Sequence, residues 1–397
     1  MSTINARPDI PERLVADVDI FNLDGAQNDV QLAWRRLQQV YPDIFWPPKN
    51  GGHWIATRAV DIRYIQSEHQ FFSNSQIFIP ATQLPLKLIP LNLDPPEHGP
   101  FRAILAPAFT PPVLDVLEQQ ARTIAVELIE SLRPKRECEF VRDFAEKLPI
   151  IVFLKMMDLP LEDREYLLGL SNQNVDPSAP ELRVEAHKLL GAYISGHIEK
   201  RKKKLGSVLL SRIISARVGD RAIQPDEALS MSTLLLFGGL DTVASLMSFT
   251  MCFFATHPEH RRELNQNPAL RPAAVEEMIR RHGISNSVRV VRHDHEYKGV
   301  PFRQGDLVSL PTGLAGLDDR EVDEPLIVDF HRKRSRHAAF GHGSHVCPGS
   351  MLARRELGVL LKEWLFRIPD FELKSGTKPV FRAARLNGVS EVQLQWP

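Results

Sequence analysis

Phe340-Gly341-His342-Gly343-Ser344-His345-Val346-Cys347-Pro348-Gly349 is the stretch on which the reading of the whole chain turns. Its glycines let the backbone come close to a flat partner. The Ser350–Phe366 segment that follows has helical periodicity, so one Cys stands at a helix mouth. Unpaired amides and the helix dipole there favour an anionic sulfur and predict a lowered pKa, as suits a metal ligand. A lone Cys is more often a small buried hydrophobe, which is the reading given to Cys138 and Cys252. Zinc held by His342, His345 and Cys347 would want a second pair of ligands, and no matching pair is present. A cysteine protease would need a base and an oxyanion hole that nothing here specifies.

Phe340, Gly343, His345, Cys347 and Gly349 match the pattern Phe-x-x-Gly-x-(His/Arg)-x-Cys-x-Gly. In this the loop resembles the haem-binding loop of the cytochrome P450 family. The text around it, from Leu352-Ala353-Arg354-Arg355-Glu356 to Leu361–Phe371, is similar to the bacterial camphor-hydroxylase branch. The resemblance implies a mainly α fold with small β-sheets, the cytochrome P450 fold. It also implies haem b (iron protoporphyrin IX) ligated by Cys347 and flanked by Phe340, His345 and Gly349.

Three further segments stand in the family's order. Gly238-Gly239-Leu240-Asp241-Thr242 lies inside an apolar stretch, Pro225–Thr256, that reads as one long helix. Two adjacent glycines cost roughly 1 kcal/mol each in a helix interior, so something needs the space. Close helix packing would explain them; so would a ligand. Thr242 follows Gly238 by one helical turn, so its hydroxyl can bond that carbonyl and open the helix. The resemblance implies that the Asp241–Thr242 pair lies over the haem, Asp241 gating protons and Thr242 steadying oxygen, because O–O cleavage in a dry pocket needs delivered protons. Glu277 and Arg280 make a helical pair of the kind that is usually solvated; in the family it is buried and joined by a later Arg, for which Arg332 is the candidate. Asp94–Arg102 carries His98 and Arg102 one turn apart. The resemblance implies that both bind haem propionates, with Arg289 and His345 completing the cluster, since buried carboxylates need cationic, hydrogen-bonding partners.

Composition is consistent with this reading. Lys plus Arg and Asp plus Glu are 49 each, giving zero formal net charge, so a nucleic-acid binder, which needs a basic excess, is not expected. Hydrophobic residues are 43% and charged ones 25%, the balance of a globular protein. Three scattered cysteines make no disulfide framework. Met1–Asn22 has no apolar core of leader or anchor type, and no uncharged run spans a bilayer, so a cytoplasmic protein without membrane attachment is expected. No repeat or linker divides residues 1–397, which read as a single haem domain. Helical periodicity is expected over Val113–Leu132, Phe140–Met157, Leu161–Ser171 and Glu181–Lys203. Short strands are expected at Val288–Val291, Glu296–Tyr297 and Asp306–Leu310, with turns at Lys298-Gly299 and Gln304-Gly305.

The resemblance implies a monooxygenase hydroxylating a small hydrophobic substrate with O2 and electrons from a [2Fe–2S] ferredoxin and its NADH-dependent reductase. The basic run Arg332-Lys333-Arg334-Ser335-Arg336 could steer an acidic donor, or be a plain solvated patch. Phe78, Leu86, Leu91, Leu234, Phe237, Gly238, Ser285 and Leu386 are the pocket candidates, with ordinary core as the competing reading. The camphor enzyme holds its ketone with a tyrosine. The matching position falls in Leu84–Leu88, most naturally Leu86, and no Tyr is near. That argues against camphor and for another terpenoid or a norisoprenoid such as an ionone. Position 348 is Pro, without an N–H, so one N–H···S bond to Cys347 is missing. A peroxide-driven peroxygenase and a non-catalytic haem sensor are the alternatives; neither needs Asp241 and Thr242 in the same way.

Overall fold

The computed structural model describes residue 7 and residues 9–175, 180–206 and 208–397; part of the Met1–Asn22 segment lies outside them. Helices dominate, and they form because apolar residues recur at helical spacing with identifiable starts. Pro225–Leu240 begins with Pro at its first position and a capping box between Gln224 and Glu227. Pro111–Leu132 also begins at Pro, and its buried face of Leu114, Leu117, Ala121, Ile124, Ala125, Ile129 and Leu132 packs on the Ser350–Arg367 helix. The expected Phe140–Met157 helix is in fact a π-turn, Val141–Ala145, leading into Lys147–Met157. Leu161–Ser171 resolves into a short 3-10 turn, Leu161–Asp163, and a helix, Arg164–Val175.

The long apolar stretch is two helices, Pro225–Leu240 and Thr242–Thr256, and not one. They part at Asp241, just after the paired glycines. The Thr242 hydroxyl donates to the Gly238 carbonyl at 3.0 Å, competing with the backbone ladder at that turn. Taken as one span, Pro225–Thr256 has the length and hydropathy of a membrane helix, but its most apolar window is 67% buried among other helices. That is how a core helix behaves.

A five-stranded sheet flanks the helices. Its order is Ile44–Phe45, Trp54–Ala56, Leu307–Pro311, Asn286–Val291 and Phe72–Ser73, with only the second and third strands parallel. His295–Tyr297 pairs with Val300–Phe302 about Lys298-Gly299, both at positive φ (53° and 73°), which the tight turn requires and Gly supplies cheaply. The C-terminal tail forms Val380–Arg382 and Gly388–Glu391, an antiparallel pair whose connecting bend enters the interior.

Glu277 and Arg280 lie wholly inside, at 1% and 0% side-chain exposure. Arg280 donates to both Glu277 oxygens at 2.8 Å and to the carbonyls of Gly316, Pro325 and Ile327. Arg332 Nε stands 3.2 Å from Glu277 Oε1, and Ser335 and the Asp329 amide complete the shell. The trio thus ties the helix Arg271–Arg281 to the segment that enters the Cys347 loop. Arg332 is therefore not part of a free surface patch; Lys333, Arg334 and Arg336 are the exposed cations of the run.

Candidate active site

A cavity of about 370 Å3 opens between the Cys347 loop on one side and the Pro225–Leu240 helix on the other. That lies in the range, roughly 300–1,000 Å3, of pockets built for small molecules.

The loop is held open by its glycines. Gly341 and Gly343 sit at φ +79° and +73°, and a Cβ on Gly343 would come within 3.0 Å of the Gln66 carbonyl. The Cys347 amide donates to the Phe340 carbonyl at 2.9 Å, closing the loop on itself. Arg354 lies over the Phe340 ring, 4.7 Å from its centroid. The Gly349 and Ser350 amides point at the Cys347 sulfur, while Pro348, directly after the cysteine, has no N–H to give. The lowered thiol pKa expected from the helix mouth is not found. Burial pushes the Cys347 thiol up, and those two amides with Arg102 and Arg354 only partly oppose it. Desolvation of the anion outweighs those opposing contacts.

His98, Arg102, Arg289 and His345 all reach the same side of the cavity. The His98 and His345 rings are 4.3 Å apart. Arg289 is bonded to the Asn74 carboxamide, whose Nδ2 is 3.3 Å from His345 Nδ1. Asp94 fixes Asn74 from behind through its amide at 2.8 Å. Burial holds Arg289 down to about 10, and burial with Arg289, His98 and Arg102 holds His345 down to about 3. His98 is lowered likewise, by burial and then by Arg102. Among the described residues His345 Nε2 is buried without a hydrogen-bond partner of good geometry, the Leu93 backbone being its nearest polar neighbour. A cluster of donors that repel one another, with an orphaned nitrogen among them, suits a ligand carrying two carboxylates. The residues therefore fit the propionates of a haem that Cys347 would ligate.

Opposite the loop, the two glycines divide the readings offered for them. A Cβ on Gly239 would fall 2.3 Å from the Phe153 ring, so this glycine serves helix packing. A Cβ on Gly238 meets nothing within 4 Å and would project into the cavity, so this one leaves ligand space. Thr242 lines the cavity. Asp241 does not; its carboxylate accepts a bond from Ser171, and burial pushes its pKa up while Arg382 and Arg385 pull the other way.

Phe78, Leu91, Leu234, Phe237, Gly238, Ser285 and Leu386 line the cavity, but Leu86 does not. Leu88 stands there instead. The Asn92 side chain accepts from the Leu88 amide at 2.9 Å and the Asn92 amide returns a bond to the Leu88 carbonyl at 2.8 Å. That closure turns Leu88 inward and leaves Leu86 half-exposed on the loop. Position counting fails in a loop, which has no periodicity to fix which side chain faces in. Several polar wall residues also escaped the sequence reading, among them Asn174, Glu356 and Arg385. Glu356 had a signal, since it stands two and a half helical turns after Cys347 on an otherwise apolar face; burial lifts its pKa to about 8.

The family model described as "Cytochrome P450" matches residues 172–383. The chain is a cytochrome P450. It is 34% identical over 403 residues to the probable cytochrome P450 127A1 of Sinorhizobium fredii, covering 99% of this chain and 97% of that one. The vitamin D(3) 25-hydroxylase of Pseudonocardia autotrophica is 30% identical over 87% of this chain and 88% of its own. Among solved structures, CYP101J2 superposes with a TM-score of 0.91 at 36% identity, covering 99% of each chain. CYP101C1 gives 0.89 at 36%, covering 99% of this chain and 100% of that one. P450 enzymes bind haem b and are monooxygenases, and this chain shares that activity and cofactor.

Proposed function

We propose that this P450, as a single haem domain close to the camphor-hydroxylase branch and working in the cytoplasm, hydroxylates a small hydrophobic molecule of terpenoid or norisoprenoid size. Its electrons come from a [2Fe–2S] ferredoxin served by an NADH-dependent reductase. The observation that carries the reading is a mostly apolar cavity lined by both Cys347 and Thr242.

Haem b, when bound, supplies the activation of O2 and the oxidation of an unactivated C–H bond. The chain does the rest. Cys347 would ligate the iron, and His98, Arg102, Arg289 and His345 would hold the propionates. Leu91, Leu234, Phe237 and Leu386 exclude water and orient the apolar skeleton. Thr242, anchored on the Gly238 carbonyl, presents its oxygen over the reacting centre, and Asp241, paired with Ser171, holds a proton near it. None of the chain's five tyrosines lines the cavity, which argues against camphor held in the usual way.

Turnover of β-ionone and camphor should be compared with NADH, ferredoxin and reductase, and with peroxide alone. Oxygen-dependent hydroxylation of the ionone is expected. Product formed only with peroxide, or no product with either, would sink the proposal.

A further inference from the structure

The cavity wall holds a charge that nothing in the proposed function uses. Arg385 lies in the bend between Val380–Arg382 and Gly388–Glu391. Its backbone is pinned: the Asn286 amide donates to its carbonyl at 2.9 Å, and the next residue, Leu386, bridges Ser285. With the main chain fixed there, the side chain is carried inward, onto the cavity wall beside Leu386 and Phe237. Its guanidinium stands 5.5 Å from the Phe78 ring centroid, on which Arg183 also stacks at 4.2 Å.

The guanidinium has no ion pair or side-chain hydrogen bond among the described residues, and its Nε is buried without an acceptor. Burial holds its pKa down to about 10, so it stays charged at neutral pH. Asp241 acts on it through space, but that carboxylate is bonded to Ser171 and is itself biased toward the neutral form. His187 cannot compensate it either. That ring is held neutral by burial and by Arg385 and Arg183, and bonds Asn174 Oδ1 at 2.9 Å. A buried guanidinium without a counter-ion is costly, and the planar fork it presents matches a carboxylate in two parallel bonds. Asn174, on the same wall, adds a carboxamide to the apolar surroundings.

We propose that Arg385 anchors the substrate, and that the molecule oxidised is a small apolar skeleton bearing a carboxylate. This rests on the haem-monooxygenase reading and narrows its substrate class. The carboxylate end lies against Arg385 and Asn174, so the oxidised carbon is at the other end of the skeleton. Arg385 is a positioning residue here; it takes no part in the oxidation.

The test is a Soret titration of the haem-loaded protein with para-isopropylbenzoate, its amide and para-cymene, three ligands of one shape. The carboxylate should bind about tenfold or more tightly than the amide, and Arg385→Leu should bring that ratio to near one without weakening para-cymene. Arg385→Lys should keep part of the preference, because it keeps the charge and loses the fork. Equal binding of all three by the unaltered protein overturns the proposal without recourse to any variant. So does a preference that survives Arg385→Leu, or a change confined to coupling of electrons to product, which would make Arg385 a counter-charge for Asp241. The carbon monoxide complex of the reduced protein separates the two levels. A thiolate-type band with no carboxylate preference sinks only the anchor; absence of that band sinks the haem-thiolate reading and the anchor with it.

Discussion

Replacing Gly238 and Gly239 one at a time by Ala separates the two demands on this helix. Both changes gain roughly 1 kcal/mol of helix propensity over glycine, so that contribution cancels when the variants are compared. What remains is the methyl group's surroundings. At Gly239 it would stand 2.3, 2.7 and 2.8 Å from three carbons of the Phe153 ring. Phe153 is 5% exposed and borders the cavity on one side only, so its ring lacks the freedom of a surface side chain. Overpacking of this kind costs roughly 1–3 kcal/mol. At Gly238 nothing lies within 4 Å, so no such cost arises. Gly239→Ala should therefore be about 1–3 kcal/mol less stable than Gly238→Ala, measured by urea unfolding of the two haem-loaded proteins side by side. Gly238→Ala should instead weaken binding of the bulkier ligands, seen in Soret titrations, because its methyl takes cavity space. Equal stability of the two variants, or a Gly238→Ala protein that unfolds more readily than Gly239→Ala, would refute the division of roles.

Four further outcomes are expected. Pro348→Leu should raise the haem reduction potential, because a third amide could then withdraw electron density from the Cys347 sulfur; an unchanged or lower potential in redox titration would count against this. Arg334→Glu should slow ferredoxin-driven turnover at low salt and match the unaltered protein at high salt, since exposed charge acts by steering; identical low-salt kinetics would remove the patch. Arg280→Met would leave the buried Glu277 carboxylate with Arg332, Ser335 and the Asp329 amide but without its bidentate partner, and should destabilise the fold by about 3 kcal/mol in denaturant unfolding; a loss under 1 kcal/mol would contradict the buried network. Burial alone would raise the Glu276 pKa, yet bonds from His337 and Arg354 hold it down to about 2 from an ordinary 4.5. Its contribution is thus complete above pH 4.5 and is lost as pH falls toward 2. Stability should fall with acidification across that window, and Glu276→Gln should flatten the fall; an equally steep fall in the variant would assign the acid sensitivity elsewhere.

The haem loop was legible in the sequence because its constraints are local. Gly343 must be glycine for a turn at positive φ, and Pro348 removes an amide wherever the chain goes. Helices such as Pro111–Leu132 and Ser350–Arg367 were legible for a similar reason: one buried face leaves its period in the sequence. The break at Asp241 was half visible. Thr242 advertised its bond to Gly238, but only packing on Phe153 distinguishes Gly239 from its neighbour.

Other features depend on residues far apart in the chain, and no local pattern records them. Arg280 needs Gly316, Pro325 and Ile327 to be recognised as buried, and Arg332 needs Glu277 to be taken out of a surface patch. The cavity wall was the least legible part. Leu88 replaces Leu86 because Asn92 closes a loop that has no period. Arg385 reads as an ordinary surface cation until the pairing of Leu386 with Ser285 carries it inside. Sequence alone thus determined the shape of the Cys347 loop, which short-range geometry encodes. Tertiary structure decided the shape and charge of the space above it, because each wall residue is placed by a contact with a distant strand or helix.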